Sequence, residues 1–288
     1  MRQRTILTTI LTVFVCVFAI PVCANAKTIY VDCDAAGAND GSSWENAYNY
    51  LQDALTVAGS GTEIRVARGR YTPDRGVGIV PGSRIATFEI KQGVAVKGAY
   101  AGYGASQPDF RDLEAYETIL SGDLNGDDVD VNDPCDLLDE PTRAENSYHV
   151  LTGSKTNAGA VLDGFTVTGG NANHSSHPHY LGGGVLRSFG AVFRDCTFRC
   201  NSARGDGGGM YNSGRPTLYN CLFIDNAAGD RGGGMLNWSS SPTLVGCTFI
   251  NNVSLEAGGA MFCYSGSTLN VTDCVFIGNR SNAEGGGI

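Results

Sequence analysis

Pro216-Thr217-Leu218-Tyr219-Asn220-Cys221-Leu222-Phe223-Ile224-Asp225-Asn226 can turn Leu218, Cys221 and Phe223 inward while their neighbours face out. That period of two, with no apolar run long enough for a helix, reads as short strands. The Cys-x-Phe-x-x-Asn inside it recurs. Its cysteines fall at Cys196, Cys221, Cys247 and Cys274, its phenylalanines at Phe198, Phe223, Phe249 and Phe276, and its asparagines at Asn201, Asn226, Asn252 and Asn279. All three columns step by 25, 26 and 27 residues, so every insertion falls outside the motif. Glycine runs keep the same beat and end in Val185, Met210, Met235, Met261 and Ile288. A repeat period in the twenties predicts a solenoid.

Pro, Gly, Asn and Asp punctuate each unit at about three places, which predicts coils of three strands joined by corners. Successive coils then stack as parallel sheets ~4.8 Å apart, bringing equivalent residues into files. Phe stacked on Phe buries apolar surface. Asn at a corner tolerates left-handed backbone, and its amide can hydrogen-bond along the file. The glycines allow a bend that a side chain would block. The four cysteines of the motif are expected as buried thiols, because ~4.8 Å exceeds the ~3.8 Å between Cβ atoms that a disulfide prefers. Cys200 should point outward, and Cys33 and Cys135 remain as candidate partners in the capped end. All twelve motif residues are read as structural.

Residues 1–26 read as a secretory signal peptide: Arg2 and Arg4 precede an apolar run from Ile6 to Ile20, and Ala24-Asn25-Ala26 offers small residues for cleavage before Lys27. Losing the two arginines takes the formal charge from -9 to -11. Residues 27–60 read as an N-terminal cap, a strand followed by an amphipathic helix. Ser42 and Glu45 form a capping box there, and Trp44, Tyr48, Leu51, Leu55 and Ala58 share one face. Such a helix can cover the open end of a solenoid. Residues 61–181 carry irregular early coils with long loops, with strands at Glu63–Ala67, Ile85–Ile90, Val94–Gly98, Thr118–Ser121, Tyr148–Thr152 and Val161–Thr168. Residues 182–288 hold the regular coils.

Gly258-Gly259-Ala260-Met261, together with Phe223-Ile224-Asp225-Asn226 and its counterparts, resembles the Gly-Gly-Ala-Ile and Phe-x-x-Asn marks of chlamydial polymorphic outer-membrane protein repeats. Ile29-Tyr30-Val31-Asp32, the loop from Asn39 to Trp44, and Leu162 to Gly170 are similar to the N-terminal half of related bacterial surface proteins. The resemblance implies an all-β, right-handed parallel β-helix of the pectin-lyase-like superfamily, which holds both polysaccharide-cleaving enzymes and adhesins. In the polymorphic proteins the repeats are an exported passenger whose outer-membrane anchor is a separate C-terminal barrel. The sequence stops at Gly285-Gly286-Gly287-Ile288, partway through a unit, so a longer protein is expected, with membrane attachment only through an anchor outside this stretch.

Three constellations could carry chemistry. Asp123, Asn125 and Asp127 begin like a calcium loop, with oxygen ligands at alternate positions. Asp128 and Pro134 then stand where an EF-hand needs Gly and Glu. Calcium, the one candidate cofactor, should prefer this loop to any flat row of carboxylates. His174, His177 and His179 lie close enough to hold Zn²⁺ or Cu²⁺, in a loop without carboxylate or thiol. Asp206, Asp230, Glu256 and Glu284 precede successive glycine runs at nearly the same offset, so stacking would set like charges beside one another, with Arg204 and Arg231 to relieve them. No spacing forces a nucleophile, base and orienter together, and Rossmann and phosphate-loop fingerprints are missing. An acidic chain argues against nucleic acid as partner. The expected function is a secreted or cell-surface scaffold or adhesin binding glycan or surface-protein partners without catalysis. A lyase or hydrolase acting on an acidic glycan is the alternative.

Overall fold

A computed structural model describes residues 27–153, 159–264 and 266–288; the expected leader, 1–26, lies outside these. In the coil around the quoted stretch, Met210–Asn212, Thr217–Tyr219, Leu222–Ile224 and Ala227–Ala228 follow one another, and each joins a different sheet. The sheets have six, eight, seven and five strands. Within them each strand pairs in parallel with its equivalents in the coils before and after, as Leu218 does with Phe193 and Leu244. The chain is a right-handed parallel β-helix.

The four-sheet cross-section differs from the three strands expected. The extra sheet consists of two-residue strands such as Ser202–Ala203, Ala227–Ala228 and Val253–Ser254, too short to show a period. Val161–Thr168 likewise divides into Val161–Asp163 and Thr166–Thr168, because Gly164 turns the corner with φ 77°.

Inside, the files are continuous. Phe198, Phe223, Phe249 and Phe276 stack with centroids 4.7, 4.6 and 5.1 Å apart. The motif asparagines form a ladder in which Nδ2 of Asn201, Asn226 and Asn252 donates to Oδ1 of the next at 3.1, 2.8 and 2.9 Å. Each Nδ2 also donates to a carbonyl of an earlier coil, as Asn226 does to Phe198 at 2.9 Å. The left-handed residue is the one before the asparagine: Cys200, Asp225, Asn251 and Gly278 have φ between 50° and 62°. Turning the backbone there swings the following amide into the core. The glycine runs serve close approach, for a Cβ on Gly233 would stand 2.2 Å from the carbonyl oxygen of Val253.

Cys196, Cys221 and Cys247 are buried and Cys274 is half-buried; all eight described cysteines are free thiols. Burial pushes the Cys196 thiol up to about 12, which keeps it protonated and unreactive. Cys135 lies away from the capped end, within 3.8 Å of the Arg280 guanidinium.

The N-terminal helix is shorter than read. Only Leu51–Val57 is α-helical, with no side chain capping it. Ser42 donates its backbone N–H to Asp40, and Ser43 rather than Ser42 accepts from Asn46. Two contacts forbid an earlier start. The backbone of Tyr48 bonds to Tyr30 and Asp32 in strand fashion, and Trp44 packs between Tyr30 and Tyr100 with its Nε1 donating to Asp109. Leu51 and Leu55 still cover the end of the core, facing Phe88, Val96, Leu120 and Leu162.

Residues 122–147 form a strap closed by the Ser147 N–H on the Gly122 carbonyl at 2.8 Å. Its 3-10 turn, Pro134–Leu138, lies against the five-stranded sheet, whose small side chains let it approach. Arg143, 2% exposed, fastens it by donating to the carbonyls of Gly170 (3.0 Å) and Cys200 (3.1 Å) and to Asp128 (3.1 Å).

In the regular coils from Val185 onward, length varies at one corner, the link from the six- to the eight-stranded sheet. Val185 to Val192 and Met210 to Thr217 are seven residues, Met235 to Thr243 is eight, and Met261 to Asn270 is nine. From ladder asparagine to the next glycine-run terminus the distance stays at nine residues throughout. Among the described residues no helix is long and apolar enough to cross a membrane.

Candidate functional site

A cleft of about 540 Å³ separates the strap from the outward face of the seven-stranded sheet. Its lining is charged, with Arg70, Arg143 and Arg199 facing Asp123, Asp128, Asp130 and Asp225. Asp123 is buried at its base. Its Oδ1 accepts the N–H groups of Gly126 (2.6 Å) and Asp127 (3.2 Å), and its Oδ2 pairs with Arg70 at 2.5 Å. This carboxylate therefore shapes its own turn, as Asx residues do. Asn125 and Asp127 face solvent. The groups that approach Asp123 are instead Asp128 and Glu145, with oxygens within 4.8 Å of one another. Arg143 and Asn146 hold Asp128, and burial raises the pKa of both Asp128 and Glu145. Two arginines thus already neutralise part of this trio.

The histidine loop meets a fourth histidine. His149, 4% exposed, bonds through Nδ1 to the Gly182 carbonyl at 3.0 Å, which makes Nδ1 the donor and leaves Nε2 to accept from His179 Nδ1 at 3.2 Å. His174 accepts from the Ser176 N–H, and His177 Nε2 meets an Arg187 donor at 3.3 Å. Tyr148 stacks on His179 and carries the Arg84 guanidinium 4.2 Å from its ring centre. The three loop histidines have separate partners. Among the described residues, no metal-sized group of His, Cys, Asp and Glu includes a histidine. His149 precedes His179 by 30 residues in a coil of 34, Leu151 pairing with Val185, so no repeat spacing announced the pair in the sequence.

The carboxylate row is out of register. The N–H groups of Gly182, Gly207, Gly232 and Gly258 donate to the carbonyls of Asp206, Arg231, Ala257 and Glu284, so these four share a file. Asp230 and Glu256 sit one residue earlier. Arg231 stands between the carboxylates, with Nε 3.2 Å from Glu256 and 3.9 Å from Asp206. Burial still raises Asp206 to about 6, with Arg231 opposing and Asp230 adding to the rise.

The sequence reading passed over Trp238 and Tyr264. Their rings stack 4.2 Å apart at 10°, one coil from the next, on the corner of variable length. Here the signal was one unit's spacing, 26 residues.

Burial and charge give this structure opposed pH responses. Burial pushes His149 down to about 4 from 6.5. Above pH 6.5 both folded and unfolded states are neutral there; as pH falls the unfolded chain takes the proton first, and ~3 kcal/mol of stability is lost between pH 6.5 and 4. Asp206 acts with the other sign. Its raised pKa lets the folded state hold a proton longer, so about 1–2 kcal/mol is lost as pH rises from 3.8 to 6. Urea midpoints of Asp206→Asn should therefore fall more steeply on acidification from pH 7 to 4.5 than those of the parent. Parallel curves would refute the assignment.

Residues 147–288 match the family described as right handed beta helix region. No curated protein matches the sequence. Among solved structures, a rhamnogalacturonan lyase is similar at 12% identity and a TM-score of 0.32, covering 86% of this chain and 56% of its own. The chain thus spans a little over half the length of that enzyme.

Proposed function

We propose that the chain is an exported β-helix scaffold of the adhesin kind, secreted or held at the cell surface, which binds glycan or surface-protein partners without catalysis. One observation carries the reading. The charged cleft under the strap is a structural seam, in which Asp123 is committed to Arg70 and its own turn, and Asp128 to Arg143 and Asn146. Inward positions are occupied by stacking and laddering, while outward positions change from coil to coil: Asp163, Arg194, Tyr219, Val245 and Thr272 form one outward file. Such a surface suits recognition by many weak contacts. The acidic balance favours neutral, basic or calcium-bridged partners over nucleic acid.

Purified chain from Lys27 to Ile288 should release neither unsaturated nor reducing sugars from pectin, alginate or related polyanions, with or without calcium. Steady turnover abolished by one outward carboxylate or arginine substitution, in a protein that stays folded, would establish the lyase or hydrolase instead.

A further inference from the structure

The variable corner carries an aromatic ledge. Backbone hydrogen bonds from Trp238 to the Asn212 carbonyl and from Tyr264 to the Asn237 carbonyl continue the strand register, placing Ser213, Trp238 and Tyr264 in one column. Tyr264 covers one face of the indole. The other face lies on the side of Ser213, whose side chain has two heavy atoms, and Trp238 remains 41% exposed. Tyr264 is 36% exposed. The only other tryptophan in the sequence, Trp44, is 7% exposed and packed in the core. Two large rings held rigidly in the open expose apolar surface that folding alone would bury.

The rim of the ledge is polar. The Arg231 guanidinium stands 5.5 Å from the ring centres of both Tyr264 and Phe262, and its Nε reaches Glu256 at 3.2 Å and Asp206 at 3.9 Å. One cation between two carboxylates leaves a negative balance, and the cation is the group that stands beside the Tyr264 ring. Flat apolar faces edged by hydrogen-bonding groups, in a field that repels anions, match a ring with C–H faces, hydroxyl edges and no charge. A nucleic-acid base would bring phosphate into that field. A protein partner would need a wider apolar area than this pair and Phe262 supply.

We propose that Trp238 and Tyr264, with Arg231 and Glu256 at their edge, bind neutral pyranose rings of a glycan. This rests on the binding-scaffold reading above and names its ligand class. The ledge is tested on the chain from Lys27 to Ile288 with neutral hexasaccharides of gluco, xylo, manno and galacto configuration, and with hexagalacturonate as the acidic comparison. At least one neutral hexasaccharide should bind by calorimetry and shield Trp238 emission from iodide. Trp238→Ala should weaken that binding at least ~tenfold and Trp238→Phe less, with circular dichroism unchanged. Failure of all neutral hexasaccharides to bind, unchanged affinity in folded Trp238→Ala, or tighter binding of hexagalacturonate would each overturn the ledge. Sugar release from polyanions would sink the scaffold reading whatever the ledge does. A folded, non-catalytic chain that ignores neutral hexasaccharides would sink the ledge alone.

Discussion

Asn226→Ala should cost on the order of 5 kcal/mol in urea unfolding, enough to remove most of the stability of an ordinary domain. The Asn226 amide is buried and makes four hydrogen bonds: Oδ1 accepts the N–H and Nδ2 of Asn201, both at 3.1 Å, and Nδ2 donates to Phe198 and Asn252. Alanine would break all four bonds: Asn252 Oδ1 would keep the Asn226 N–H and Asn201 Nδ2 would keep the Val167 carbonyl, but the Asn201 N–H and the Phe198 carbonyl would lose this partner, and each lost bond costs ~1–3 kcal/mol before relaxation. Asn226→Asp is the sharper test. It keeps the shape and one acceptor but sets an oxygen against the Phe198 carbonyl and Asn252 Oδ1, and so should be no milder than alanine. A loss below about 1 kcal/mol in either variant would mean that the ladder does not hold the coils together.

Arg143→Met should cost about 3–5 kcal/mol, since it leaves the half-buried charge of Asp128 without its cation and takes one donor from each of the Gly170 and Cys200 carbonyls. Burial already lowers the Arg143 pKa, with Asp128 the main opposing influence. The pair should therefore couple. Adding Asp128→Asn to Arg143→Met should recover part of the loss, because it removes the stranded charge. Additive effects of the two substitutions would show that Arg143 acts through packing alone. Limited proteolysis within residues 122–147 should track the same series, as that strap depends on the arginine.

What the sequence disclosed was whatever repeats. Phe198, Asn201, Cys196 and their equivalents return in fixed columns because every coil imposes the same stacking demand, so period alone placed them inward. Three kinds of feature escaped. The five-stranded sheet is built from residue pairs such as Ala227 and Ala228, and two residues cannot display alternation. The row expected at Asp206, Asp230, Glu256 and Glu284 failed by a single residue, since Arg231 rather than Asp230 pairs with Ala257 and backbone bonding, not residue type, sets register. The helix expected from Ser42 lost its first turns to Trp44 and Tyr48, whose partners Tyr30 and Tyr100 come from strands on either side of it in the chain. Tertiary contact overrode local pattern there. At the candidate sites, the sequence offered Asp123 as a calcium-loop oxygen beside Asn125 and Asp127, whereas its neighbours Arg70 and Glu145 come from separate stretches of chain that no local motif joins.

The corner that runs seven, seven, eight and nine residues has a consequence for how such a chain can change. In these regular coils the other segments are clamped on both sides: a residue added before the ladder asparagine or within the glycine run would shift all later columns against their neighbours. A residue added at this corner shifts none. Duplicated units can therefore diverge there in length and in side chain without refolding the interior, much as loops diverge on a fixed framework. Trp238 and Tyr264 occupy its first position in two consecutive coils. Grafting other side chains into those two places, or lengthening the corner behind them, offers a route to new specificities on an unchanged stack.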